Sequence, residues 1–465
     1  MLVPLNPMYP SQYKRPLPVS RASLWWLHPF WIVVVPLLTI SLVAYLLPEA
    51  EYRENWRTPK AFNSAAFGLC IAVAAAFSAG CLLAWWINAG FSVHRRISPE
   101  LRDVRGDQRG LMILFGVAVV VTVTGYAIWF GFILKQGGIG MIKSMLTGGK
   151  WASDELKRTG MDSMITGVTT FTQFGMGTVL LGTYLGFTQG WRKVVLRLAM
   201  LLVLTLFRAV LLSERLSLIE VVLPSAVLFI RLIGYGRPGS ALRRFLIVAP
   251  VVGIAGLYAL FTFTEYFRSW SSFYADRGTQ SLFSFSLLRL LGYYVTALNN
   301  GAIIWHGNGA FYFPYATLDW LWRFPLIGHT LREMLGGDQD VLDIELAIVT
   351  AVGNVEFNNP SGIFVVFTDL GVAGALMFFV IYGCMAALLY GSYRRGSIAG
   401  LFLYPFVFIG MSEQVRILYS TGGRAFPTWL LLLMGVLISR SVLRRGRSLR
   451  KSPAQPHPTS VTPPP

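Results

Sequence analysis

The residues of this 465-residue chain best suited to chemistry are arginines set against apolar runs. In RAVLLSERLSLIE, Arg208 is followed seven positions later by Arg215, two helical turns on, with Glu214 and Glu220 beside them. Placing a guanidinium in a membrane costs about 2.5–3.5 kcal/mol on insertion scales, so its retention points to a task. The planar fork gives bidentate, charge-assisted bonds and never deprotonates, which suits a diphosphate. Downstream, EYFRSWSSFY covers 265–274 and Asp276 and Arg277 follow; Glu265 and Arg268, three apart, share a helical face. Tyr266, Trp270 and Tyr274 stand among these charges as aromatics suited to sugar rings, which present an apolar face. The stretch SEQVRILYSTGGR adds Glu413, Arg416 and Arg424. The plainer alternatives are that Arg215 caps a tight turn against Glu214 and that the aromatics form an interfacial belt with snorkelling arginines.

Other patterns carry less. His306 and His329 are the histidines of the longest loop and are candidate proton acceptors or plain hydrogen-bonding fixtures. Asp338-Gln339-Asp340, with Asp343 nearby, outlines an acidic pair, but such triplets arise by chance in acidic loops and no metal site is expected. The sequence holds no phosphate-cradling glycine loop, no His-Glu-x-x-His and no Ser-His-Asp order. No cofactor is expected, and a transferase built on these arginines needs a lipid-linked donor.

The elements that must position these groups follow from composition. The chain is 54% hydrophobic and 13% charged, against about 45–50% and about 25% in soluble domains. Charge-free runs at 29–48, 61–93, 110–134, 163–191 and 245–264 are each long enough to cross a hydrocarbon core of about 30 Å. A soluble enzyme and a single-anchor protein are excluded, and an all-α polytopic membrane protein is expected. About ten spans are read, near 26–48, 63–91, 111–134, 164–188, 197–213, 216–234, 245–264, 363–392, 398–418 and 426–440. With the N-terminus inside, cytoplasmic segments hold 23 Lys/Arg against 3 acids, and outer segments hold 16 against 18. That is a strong positive-inside signal, so the net charge of +18 reports topology rather than nucleic-acid binding.

This gives a cytoplasmic arm at 1–24, helices 1–7 over 25–264, a large outer loop at 265–361, helices 8–10 over 362–440, and a basic, proline-rich, disordered cytoplasmic tail at 441–465. In the outer loop, the apolar run 279–298 with its one charge, Arg289, reads as a helix lying on the interface with Tyr293 and Tyr294 at headgroup depth. A second helix fits 340–355. Cys70, Cys81 and Cys384 fall inside spans and read as buried structural thiols.

The Arg208–Arg215 stretch, EYFRSWSSFY, LGYYVTALNN (291–300) and FNNPSGIFVVFTDLGVAGALMFFVIYG (357–383), with the span count and loop placement, resemble the bacterial oligosaccharide repeat-unit polymerases, the O-antigen polymerase family. The resemblance covers most of 25–440 and rests on architecture more than on specific motifs. It implies a C-type glycosyltransferase-like fold in the bacterial inner membrane, with both termini cytoplasmic. It also implies polymerisation of undecaprenyl-diphosphate-linked oligosaccharide units at the outer face, for O-antigen, capsule or exopolysaccharide. The acceptor's terminal hydroxyl attacks the donor's reducing-end anomeric carbon and undecaprenyl diphosphate leaves. On this reading Arg215 and Arg268 hold the diphosphate, while Arg208, Arg277, Arg289, Arg416 and Arg424, with Tyr266 and Trp270, support diphosphate or glycan. Glu265, Asp276 or His329 activates the acceptor. The partners implied are the lipid-linked glycans, membrane lipid, and a chain-length regulator and flippase of the same pathway, with no nucleic acid. The alternatives are an O-antigen-type ligase, whose family uses a histidine in the large outer loop, and a lipid-linked oligosaccharide flippase. A flippase needs charges lining a path across many spans, whereas here the ionisable groups gather at the outer span ends.

Overall fold

A computed structural model describes residues 25–92, 108–135, 140, 143, 168–211, 215–233, 240–266, 270, 274, 281–324, 327–337 and 340–450. The arm at 1–24 and the last residues of the tail lie outside them. Among the described residues the fold is all-helical. The principal helices are α1 (Pro29–Leu46), α2 (Glu49–Trp56), α3 (Ser64–Ser92), α4 (Arg109–Lys135), α5 (Val168–Gln189), α6 (Val195–Leu211) and α7 (Arg215–Ile233). They continue with α8 (Ser240–Glu265), α9 (Leu282–Asn308), α10 (Gly328–Met334), α11 (Asp340–Val352), α12 (Phe364–Arg395), α13 (Ile398–Ser412) and α14 (Phe426–Arg450). Among the described residues six helices are long and apolar enough to cross a membrane: α1, α3, α4, α7, α8 and α12. Helices α5, α6, α13 and α14 occupy the other four positions read as spans.

Local chemistry sets the helix ends. Pro29 opens α1, where its missing N–H costs nothing, and His28 Nδ1 accepts from Phe30 N at 3.2 Å. At the end of α12, Gly396 takes the left-handed conformation (φ 74°) and Ser397 Oγ accepts from Gly400 N to start α13. Arg231 of α7 reaches the last carbonyls there, donating to Tyr393 O at 3.1 Å and Arg394 O at 2.6 Å. The same end carries the bonds from Trp26 Nε1 to Leu246 O and from the Tyr404 hydroxyl to Leu27 O. We call it the basal end; the loop segments 309–324 and 413–425 sit at the opposite, distal end.

The most extensive helix contact is α3 against α12. Backbones touch there: a Cβ on Gly80 would lie 2.1 Å from Val380 O, and one on Gly383 2.3 Å from Phe77 O. Small residues let helices approach this closely in the absence of a hydrophobic drive between them. A second group packs α5 against α4, α7 and α14. Helix α8, in contrast, has its one extensive contact with α9 and leaves Val251, Ile254 and Phe263 at least 60% exposed, as a lipid-facing helix does.

The run 279–298 falls mostly in α9, which extends to Asn308, with Val295–Ala302 buried without a gap against α1 and α12. Polar side chains inside the bundle hold it. Asn299 Oδ1 accepts from Ala61 N and Phe62 N, and Asn300 Nδ2 donates to Phe357 O. Helix α14 continues past 441 to Arg450. The helix read at 340–355 is α11, ending at Val352 before Gly353.

Candidate functional site

At the distal end a small cleft of about 20 Å³ opens between α4, α5, α6, α7 and the 413–425 segment. Tyr126, Thr172, Arg208, Glu220, Tyr419 and Arg424 line it. Arg208 stands in the last turn of α6 and donates from Nη1 to Thr172 Oγ1 at 2.7 Å, with its guanidinium 5.8 Å from the Trp129 ring. Arg424 comes from the 413–425 segment, its Nε 3.1 Å from Glu220 Oε1. The Tyr126 hydroxyl is 3.0 Å from Thr205 Oγ1. Burial, and next the carboxylate of Glu220, raise the Tyr419 phenol well above its ordinary value, so it remains a hydrogen-bond donor at neutral pH.

The loop that delivers Arg424 is pinned from the large loop. Asp319 accepts from Gly423 N at 2.8 Å through Oδ2 and from Arg323 Nε at 2.6 Å through Oδ1. Thr421 Oγ1 donates to Ala316 O at 3.0 Å, and Trp320 stacks on Phe426 at 5.3 Å. Asp369 near the start of α12 fixes the adjoining residues, accepting from Thr317 N at 2.6 Å and Thr317 Oγ1 at 2.8 Å. Next to it the Thr368 hydroxyl faces Glu345 of α11 at 3.4 Å, and burial pushes the Glu345 carboxyl up to about 7. Two residues beyond Asp369, Gly371 breaks the helix (φ 68°, ψ −179°), a backbone region open to glycine alone. A Cβ there would meet the Tyr312 ring at 2.9 Å.

Two further ion pairs lie at the same end. Arg416 Nε meets Glu413 Oε2 at 2.7 Å; burial alone would lower the guanidinium, but the carboxylate raises it above its ordinary value. Arg289 of α9 meets Glu265 of α8 at 2.9 Å and Glu356 at 2.8 Å, with Glu265 fully buried and Arg289 5% exposed. Phe285 and Phe357 lie 5.5 and 5.2 Å from that guanidinium. Arginine and carboxylate therefore alternate across the distal end, through Arg424–Glu220, Arg416–Glu413 and Arg289 between Glu265 and Glu356.

The residues read from the sequence are distributed unevenly over this arrangement. Arg208 and Arg424 come together in the cleft, and Arg416 lies on the segment leading to it. Arg208 and Arg215 do not share one helical face. Helix α6 ends at Leu211 and α7 starts at Arg215, so the two arginines belong to different helices. Arg215 is placed as the first residue of α7; its side chain, Glu214, Arg268, Asp276 and Arg277 lie outside the described residues. Glu265 and Arg289, read separately as catalytic and substrate-binding, are each other's buried partner. Tyr266 is 42% exposed at the end of α8, while Trp270 packs 5.2 Å from Phe285. His329 is exposed on α10 with Nδ1 3.3 Å from Glu333 Oε2, and His306 is exposed in the last turn of α9.

Tyr126, Thr172 and Tyr419 were not singled out in the sequence, although polar residues at the distal ends of otherwise apolar helices were the available signal. Among the described residues no group of three or more His, Cys, Asp or Glu is arranged to hold a metal. What the cleft can do is bind an anion through two guanidinium groups, with a phenol, a hydroxyl and one carboxylate around it. Comparison with family models, with curated proteins and with solved structures finds no match to this chain.

Proposed function

We propose that this protein polymerises undecaprenyl-diphosphate-linked oligosaccharide repeat units at the outer face of the bacterial inner membrane, using ten spans in a C-type glycosyltransferase-like arrangement with both termini cytoplasmic. The observation that carries the reading is the cleft: Arg208 and Arg424 both line it, at the end of the bundle away from the basic tail. Two guanidinium groups at the membrane boundary answer the charge of a lipid diphosphate as it departs. The protein's remaining task is to hold two lipid-linked glycans in line, which supplies rate by orientation. The positive-inside balance puts this end outside, where such glycans are joined, and a flippase and chain-length regulator of the same pathway are the expected partners.

The test is deletion in the source bacterium, with glycolipids and surface polysaccharide resolved by chain length. Loss of long chains while single units still reach the surface is the expected result, and Arg424→Ala or Arg215→Ala reproduces it at wild-type protein levels. Long polymer stranded on undecaprenyl diphosphate would instead make the protein a ligase. Units trapped on the cytoplasmic side would make it a flippase, and an unchanged glycan profile would remove the reading altogether.

A further inference from the structure

A glycosyl transfer of this kind has to dispose of one proton, and the cleft contains a single group suited to take it. Glu220 is the only acid among the described residues that line it, and the residue is 9% exposed. It stands on α7 five residues after Arg215, about 7.5 Å further along the helix axis. Its Oε1 is held by Arg424 at 3.1 Å, with Arg208 and Tyr126 also lining the cleft and the apolar Met176 and Val221 beside it. The group that sits on Arg424 is thus an anion, and a diphosphate arriving at Arg208 and Arg424 competes with it for the same guanidinium. A buried carboxylate that loses its cation to a neighbouring anion is left ready to take a proton. Binding of the donor is then the event that converts Glu220 from a salt-bridge partner into a base.

Resting on the polymerase reading above, we propose that Glu220 is the catalytic residue that accepts the proton of the acceptor sugar's hydroxyl. The acceptor oxygen forms a bond to the donor's anomeric carbon, and the bond from that carbon to the diphosphate oxygen breaks. The electron pair leaves with the diphosphate, held by Arg208 and Arg424. The hydroxyl proton passes to a Glu220 carboxylate oxygen and then to water. Other acids of the distal end serve elsewhere: Glu413 holds Arg416, Glu265 and Glu356 hold Arg289, and Asp319 holds Arg323 and Gly423 N.

The experiment compares full-length wild type, Glu220→Gln and Glu220→Asp in detergent, measuring chain growth on lipid-linked units and binding of inorganic pyrophosphate. Glu220→Gln is expected to lose about 10²–10⁴-fold in rate, the usual worth of a positioned base. It should bind pyrophosphate at least as tightly as wild type, because the competing anion is gone. Glu220→Asp, which keeps the carboxylate, should recover part of the rate. Growth by Glu220→Gln at the wild-type rate would overturn the assignment. So would parallel loss of pyrophosphate binding, which would make Glu220 a strut for Arg424. Failure of the wild type itself to extend chains would instead overturn the polymerase reading, and the inference with it.

Discussion

Arg289 shows what a charge in a sequence does and does not disclose. Its isolation in an apolar run marks it as costly and therefore purposeful, but the purpose is written 24 residues earlier, at Glu265, and 67 residues later, at Glu356. No spacing rule links those positions, so Glu265 and Arg289 read as two site residues when they form one buried pair. Removing one member of such a pair strands the other. Arg289→Ala should destabilise the protein by about 3–5 kcal/mol, lowering both the yield of inserted protein and its unfolding temperature in detergent. Adding Glu265→Gln to that variant should recover much of the loss. A fully stable Arg289→Ala single variant would show that the pair contributes little. Arg208 and Arg424 were legible as anion-binding candidates, because an arginine at the edge of an apolar run needs no partner to be noticed. Glu220 was visible only as a neighbour of Arg215 until α7 turned it towards Arg424.

At the scale of elements, helix positions were legible because runs of about 20 apolar residues admit few other structures. The ties that hold α9 were not. A helix carrying Arg289, Asn299, Asn300 and two tyrosines has the composition of an interfacial helix, and hydropathy does not distinguish that from a helix buried through polar ties. The ties themselves are long-range: Asn299 reaches Ala61 across 238 residues, and Trp56 Nε1 reaches Leu288 O across 232. The α3–α12 crossing was likewise unreadable, since Gly80 and Gly383 are two among 46 glycines. Here the geometry makes a sharp claim. Gly383→Val places a branched side chain into the backbone of Phe77, and overpacking of that kind costs about 1–3 kcal/mol or more. The expected result is a lower unfolding temperature and weaker resistance to protease, whereas Gly307→Val, on an open face of α9, should cost far less. Equal behaviour of the two variants would remove the crossing from its place as a principal contact.

At the scale of the whole molecule, the charge balance yields an orientation that can be tested apart from any chemistry. Met334 is 78% exposed in the large loop, and Ser448 lies near the end of α14. A membrane-impermeant thiol reagent should label Met334→Cys in spheroplasts and Ser448→Cys only after permeabilisation; the reverse pattern would place the arginine cleft inside the cell. The α3–α12 contact has a further consequence, which concerns time. Cys81 and Gly383 meet across 302 residues. At a synthesis rate of about 5–20 residues per second, the first helical hairpin waits roughly 15–60 s for its main partner to leave the ribosome. Throughout that interval the groove at Gly80 faces lipid or the insertion machinery. The N-terminal hairpin must therefore persist as an unfinished intermediate, and its biogenesis should depend on whatever shields that groove until the chain is nearly complete.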